Sequence, residues 1–355
     1  MLAPVPSHSR PGLRRTEAPP AVALSDIPVH DPFIVTDAAA GRYVLYTAFD
    51  EAAAGRGTGV VAYTSEDLRH WSGPQVVFRV PEGTWADPRT APWAPEVHRH
   101  AGRWFLFVTL HEPATPLGRV RQGENLVEVS NARTGLPYPP VRRGVVTAVA
   151  DGPLGPFTLL QEDGPVTRPD FMAIDGTLFV DDAGEPWMVY VHEWVQLLDG
   201  TIEAVRLSAD LSRAVSDPVH LFRGSEASWL STRIPSAQAL PPYVTDGPQL
   251  RRLPGGGLAM LWSSYRAGQG SGEYVETWAV SESCSLQGPW SQRDVLVDGN
   301  AGHGMLFETL DGTLLLVLHR GMNTPKVRAE LHEVIEGPKD LRGGADRRDL
   351  YGRHA

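Results

Sequence analysis

One short pattern recurs five times along this chain of 355 residues: a polar or charged opener, an apolar run, a tight turn and a second apolar run. The copies are DPFIVTDAAAGRYVLYTA from Asp31, APEVHRHAGRWFLFVT with Glu96 near its start, IDGTLFVDDAGEPWMVYVH with Asp175, TDGPQLRRLPGGGLAMLWSS with Asp246, and GHGMLFETLDGTLLLVLHR with His303. The apolar runs are rich in Val, Leu, Phe, Trp and Tyr, residues that fit a pleated, half-buried surface. The turns hold Gly, Asp and Pro, as hairpin turns require. Openers are 65, 79, 71 and 57 residues apart, which leaves room for two more strands in each unit, such as Gly59 to Thr64 and Thr277 to Ser281. Five hairpins could also build a sandwich or a large barrel, but the period is longer than a sandwich hairpin needs. The pattern predicts an all-β fold, a five-bladed β-propeller.

The expected organisation is a flexible N-terminal lead, or a clasp for the propeller, over residues 1–25, a propeller over 26–341 and a disordered, Arg-rich tail over 342–355, with Arg328 to Val334 as a strand closing the ring. A net charge of -10 leaves no basic stripe to neutralise phosphates, so no nucleic-acid partner is expected. No apolar run is long enough to span a membrane, so no membrane role is expected either. Met1 to Pro20 carries Arg10, Arg14 and Arg15 without an apolar stretch, unlike a secretory leader, and cytoplasmic residence is the expectation. The single cysteine, Cys284, excludes an intrachain disulfide and reads as a packed thiol.

Radial repetition has a chemical consequence. In a propeller the innermost strands of all blades run the same way along one axis, so their first residues converge. Asp31, Glu96, Asp175, Asp246 and His303 would ring one pocket, and unpaired acids held that close are costly enough to point to chemistry. The strand after each turn returns to the same face. It brings His192, Glu193 and Trp194 on the third unit, and His319 and Arg320 on the fifth, to the pocket.

At these residues the chain resembles glycoside hydrolase family 43, within the wider group of five-bladed furanosidases. The matching pieces are His30-Asp31-Pro32-Phe33, Ala94-Pro95-Glu96-Val97-His98, the Gly155-Pro156-Phe157 turn after Asp151, Ile174-Asp175-Gly176-Thr177-Leu178-Phe179 and Gly302-His303-Gly304-Met305. They cover roughly Ile27 to His332. The resemblance implies inverting hydrolysis of glycosidic bonds by three acids. It makes Asp31 the general base and Asp175 the residue that orients the acid and tunes its pKa. It also places His303 beside a central metal ion, often calcium, held mostly through water; no other cofactor is required. The chain departs from the family at the general acid: Thr245-Asp246-Gly247-Pro248 stands where Glu usually precedes Gly-Pro. Asp246 occupies that slot, and Glu193 on the neighbouring hairpin is the second candidate.

Such hydrolysis needs a protonated carboxyl at the leaving oxygen and an ionised one across the sugar, roughly 6.5–9.5 Å away, to activate water. Sugar rings stack on flat apolar platforms. Of Trp85, Trp93, Trp194 and Trp229, the best placed are Trp93 and Trp194, and Arg320 could bind sugar hydroxyls. Glu96 lies near the pocket or braces a neighbouring blade, the latter favoured; His30 and His98 read as supporting residues. The expected activity is exo-cleavage of arabinose- or xylose-containing oligo- or polysaccharides, with the long Glu112 to Arg142 insertion roofing one side. The alternatives are a catalytically silent carbohydrate-binding propeller and a related propeller enzyme using a retaining or phosphorolytic route.

Overall fold

A computed structural model describes residues 21–118, 136–232, 243–268, 272–322 and 324–352. The five hairpins recognised in the sequence are the inner halves of five antiparallel sheets. Strand β1 (Val22–Ala23) precedes blade I, which comprises β2 (Phe33–Asp37), β3 (Arg42–Asp50), β4 (Thr58–Ser65) and β5 (His70–Arg79). Blade II is β6 (Trp93–His100), β7 (Arg103–Pro116), β8 (Val141–Ala150) and β9 (Thr158–Leu159). Blade III is β10 (Ala173–Val180), β11 (Pro186–His192), β12 (Thr201–Arg206) and β13 (Val219–Arg223), with the one-turn helix α1 (Trp194–Leu197) after β11. Blade IV is β14 (Asp246–Arg252), β15 (Leu258–Arg266), β16 (Glu273–Ser281) and β17 (Trp290–Gln292). Blade V is β18 (Ala301–Glu308), β19 (Leu314–Arg320), β20 (Arg328–Glu336) and β21 (Leu341–Asp346), followed by α2 (Arg348–Tyr351).

Within each blade the strands pair in chain order. The first strands meet in sequence around a circle: β2 touches β6, β6 touches β10, β10 touches β14, β14 touches β18, and β18 returns to β2. Distant openers therefore share one axis, as the repeat implied. Between blades lie separate apolar layers, one joining blades III and IV through Phe222, Trp262 and Trp290, another joining IV and V through Trp278 and Leu316. Burying each sheet's two faces against its neighbours is what makes the radial stack stable.

Three expectations about the chain ends are corrected. Arg328 to Val334 does not lace the last blade to the first; it lies in β20, the third strand of blade V. The ring closes without strand exchange. Pro28 bridges Arg328, the Arg328 Nε–H donates to the Ser25 carbonyl at 3.0 Å, and the Arg69 Nε–H donates to the Asp349 carbonyl at 2.8 Å. The presumed disordered tail forms most of β21 and all of α2, because Leu350 and Tyr351 bury themselves in the cluster that holds Leu24 and Trp71. Similarly, the lead is not free throughout: β1 adds a fifth strand to blade I, and Leu24 is fully buried. Residues 1–20 and 353–355 lie outside the described residues.

This closure predicts that Tyr351→Ala destabilises the protein by about 3 kcal/mol, the cost of emptying a large aromatic site. Urea unfolding measures it; an unchanged midpoint would make the tail an ornament rather than the clasp.

Candidate active site

Every first strand begins with the same irregularity. The pairing with the second strand skips two residues, 94–95, 175–176, 247–248 and 303–304, in blades II to V. The first residue of each skip is left-handed: Ala94 (φ 44°), Asp175 (56°), Gly247 (50°) and His303 (53°), with Asp31 (47°) in the same place ahead of β2. These are β-bulges, which re-aim a side chain where a regular strand could not. For a non-glycine residue each such conformation costs on the order of 1–3 kcal/mol and persists only where the surroundings enforce it. At Gly247, where φ is +50°, a Cβ would stand 3.0 Å from the His303 ring and press on that imidazole, so glycine suits the position on both counts.

The bulges enclose a cavity of about 570 Å³ on the axis, whose walls include Asp31, Asp175, Asp246, His303, Glu193, Trp93 and Trp194. His303 Nδ1 sits between two carboxylates, 3.3 Å from Asp31 Oδ1 and 3.9 Å from Asp246 Oδ1. The Gly247 N–H donates to Asp175 Oδ2 at 3.1 Å, and the Tyr274 hydroxyl donates to Asp246 Oδ2 at 2.6 Å. Arg143 Nη1 lies 2.5 Å from Glu193 Oε2, and both side chains are buried.

A model of glycosyl hydrolases family 43 matches residues 25–335. The chain belongs to glycoside hydrolase family 43. As a family-43 enzyme it is a glycosidase, hydrolysing O-glycosyl bonds. Among solved structures, an endo-arabinase from Bacteroides thetaiotaomicron VPI-5482 superposes with a TM-score of 0.72 at 30% identity, covering 90% of this chain and 98% of that one. A thermostable family-43 glycoside hydrolase (TM-score 0.66, 18% identity, 90% and 94% covered) shares the fold. So does an α-L-arabinofuranosidase from Lactobacillus brevis (TM-score 0.60, 17% identity, 88% and 94% covered). A search of curated proteins returns no match.

Within this family-43 propeller the expected site is largely assembled, apart from His192, whose buried ring meets Gln196 at 2.7 Å and stacks on Phe171, and from two further residues. Glu96 is the third residue from the bulge start at Ala94 and turns away from the cavity; its Oε2 is 2.8 Å from His98 Nε2 and its side chain is buried. It braces the strand, because alternate residues face opposite sides of a sheet. Arg320 is the other. Its Nε–H pairs with Glu330 at 2.7 Å and its Nη1 donates to the carbonyls of Asp298 and Gly299, which hold the guanidinium against its own blade, and it is not among the residues lining the cavity. Of the remaining tryptophans, Trp85 packs under Arg142 and Trp229 against Trp262. Cys284 accepts the Gly257 N–H at 2.8 Å, as a packed thiol would.

Sequence reasoning also placed Asp246 one residue out of register: the position equivalent to Asp31 and Asp175 is Gly247. A signal was available. The residue after each bulge start is Pro or Gly in all five blades: Pro32, Pro95, Gly176, Pro248 and Gly304. Tyr274, Tyr138 and Arg143 were missed altogether, because they come from outer strands and loops whose reach toward the axis no repeat reveals.

Electrostatics divide the three aspartates. Burial alone would raise Asp31, but the His303, His319 and His30 imidazoles together outweigh it and leave the carboxyl well below its ordinary value. Asp175 is pushed up to about 7, by burial first and by Asp31. Asp246 is pushed well up by burial and by the neighbouring Asp175. Burial also raises Glu193, while Arg143 pulls it back. Three protein donors, Asp175, Asp246 and His303, could face one cation. A calcium ion takes about six to eight oxygens, so these residues alone do not form its shell, and no step below runs through a metal.

A carboxyl whose folded pKa exceeds its unfolded value costs stability once pH passes the unfolded value, about 3.9 for Asp. Below that, both states keep the proton and the cost vanishes. Asp246→Asn is therefore expected to melt a few degrees above wild type at pH 8, with the gap closing as pH falls toward about 4. Calorimetry across pH checks this; a variant melting lower at pH 8 would mean that the native carboxyl is ionised and well paired.

Proposed function

We propose that this glycosidase inverts the anomeric centre of arabinose- or xylose-containing saccharides, acting from chain ends as an α-L-arabinofuranosidase or β-xylosidase does. The observation that carries the reading is two carboxyls in one cavity whose surroundings shift their pKa values in opposite directions. Environments that push paired acids apart separate a base from an acid. Asp31, held ionised, takes a proton from the attacking water as its oxygen closes on the anomeric carbon. Asp246, held protonated, gives its proton to the leaving oxygen as that bond breaks. Asp175 receives the Gly247 N–H and adds to the burial that raises the Asp246 carboxyl, so it orients and tunes the acid. Glu193 is the weaker acid candidate, since its carboxylate is committed to Arg143 at 2.5 Å. His303 spaces Asp31 from Asp246 within reach of both.

Trp93, 38% exposed at the cavity wall, is the stacking platform. Arg143 lies 4.2 Å from its ring centroid and His111 meets its edge, so the indole is stiffened from behind. Trp194 adds a second wall. Tyr138, from the Glu112 to Arg142 insertion, also lines the cavity, which supports a roof over one side and exo action; residues 119–135 of that insertion lie outside those described. The likeness to an endo-arabinase favours a second reading, internal cleavage of arabinan. A calcium ion beside His303, completed by water, is compatible with either.

Nitrophenyl α-L-arabinofuranoside, β-D-xyloside and β-D-galactoside, assayed side by side with linear arabinan, are expected to give pentose release and, by NMR, an inverted anomer. A ladder of oligomers from arabinan would select the endo reading, and a retained anomer would sink the acid/base scheme. Asp31→Asn should lower kcat about 10²–10⁴-fold while sugar binding, read by tryptophan fluorescence, survives; wild-type turnover in that variant removes Asp31 from the reaction. Trp93→Ala should raise KM more than it lowers kcat, the mark of lost ground-state binding.

A further inference from the structure

The left-handed openers are strained, so something must hold them. In three blades the opener's own N–H is caught by a side chain from the preceding blade. The Asp31 N–H donates to His319 Nδ1 at 3.2 Å, the Asp175 N–H to Thr109 Oγ1 at 3.0 Å, and the His303 N–H to Ser263 Oγ at 2.7 Å. Thr109, Ser263 and His319 occupy one register position: each lies on its blade's second strand, paired with the residue just before that blade's bulge (Trp93, Asp246 and Gly302). Ser263 passes the link on by donating to Glu276 Oε2 at 2.7 Å, and the same oxygen accepts the Gly304 N–H. All four of these side chains are buried.

In blade III the same register position, paired with Ile174, is Val191. A valine accepts no hydrogen bond. The opener of the next blade, Gly247, accordingly donates its N–H to the Asp175 carboxylate instead.

We propose that this second-strand position is a set of positioning residues, in which Thr109, Ser263 and His319 each lock the opener of the following blade and Val191 reserves the Gly247 N–H for Asp175. The ring of reacting groups is thus aligned blade to blade by side chains that never meet the sugar. Thr109 is the most consequential: it fixes the backbone of Asp175, whose carboxylate in turn holds Gly247 beside Asp246. Groups facing Asp175 across the cavity are Asp31, Asp246, His303 and Glu193, so a small displacement alters its distance to all four.

The inference rests on the catalytic reading above, and the test separates the two. Thr109→Val keeps the shape and removes the acceptor. Its kcat is expected to fall about 10–100-fold with KM within about threefold, as for a misplaced group, and Thr109→Ser is expected to recover to within about twofold of wild type. Amide exchange at Asp175 should speed up in the valine variant and not in the serine variant. Val191→Thr, which offers Gly247 a competing acceptor, should lower kcat with little change in melting temperature. Wild-type kcat in Thr109→Val, or a serine variant as damaged as the valine, overturns the proposal. Should Thr109→Val fail to fold, Ser263→Ala with exchange read at His303 takes its place, under the same criteria. If wild type hydrolyses no glycoside, the catalytic reading has failed, and exchange at Asp175 still decides whether Thr109 holds that backbone.

Discussion

Three carboxyls and an imidazole share a buried space at the propeller axis, and they cannot all be charged. Desolvation penalises each ionised form, and like charges close together raise one another's pKa. The structure resolves the conflict unequally. Asp31 has His303 at 3.3 Å and stays ionised; Asp246 has Asp175 as its neighbour and keeps its proton. Imidazoles gathered on one side of the ring, His303 and His319 both 3.3 Å from Asp31, therefore set chemically identical side chains apart as a base and an acid. That asymmetry is what the proposed hydrolysis draws upon.

Holding those groups together costs stability twice, in buried charge and in left-handed backbone, and the fold must offset both. Continuous apolar layers between blades supply the compensation, with Trp71, Trp262, Tyr46 and Phe222 among the largest buried side chains. Their burial is non-directional and tolerates an irregular strand start, so each blade can spend its first two residues on a bulge without losing its place in the stack. Hydrogen bonds from one blade's second strand to the next blade's opener then convert general packing into angular alignment.

Much of this was legible beforehand. Five hairpins with polar openers implied the propeller, the shared axis and the gathering of Asp31, Asp175, Asp246 and His303, since strand direction and alternation follow from residue pattern alone. Two of the errors share one origin. A bulge inserts a residue without changing the local look of the sequence, so Glu96 was taken for an opener when the bulge starts at Ala94, and Asp246 was aligned with Asp175 when Gly247 is its counterpart. Arg320 reached the correct end of its strand, but an acidic neighbour on the next strand, Glu330, claimed it.

The sequence by itself determined the strand count, the circular order and the supply of acids, because those depend on local periodicity and on repetition. Only tertiary structure decided which acid's pKa rises and which falls, and that Arg320 is tied to Glu330. The pKa shifts depend on partners drawn from other blades: His303 for Asp31, Asp175 for Asp246, Arg143 for Glu193. Separations of a few ångströms between residues far apart in the chain set electrostatic and hydrogen-bond energies, and no local pattern encodes such distances.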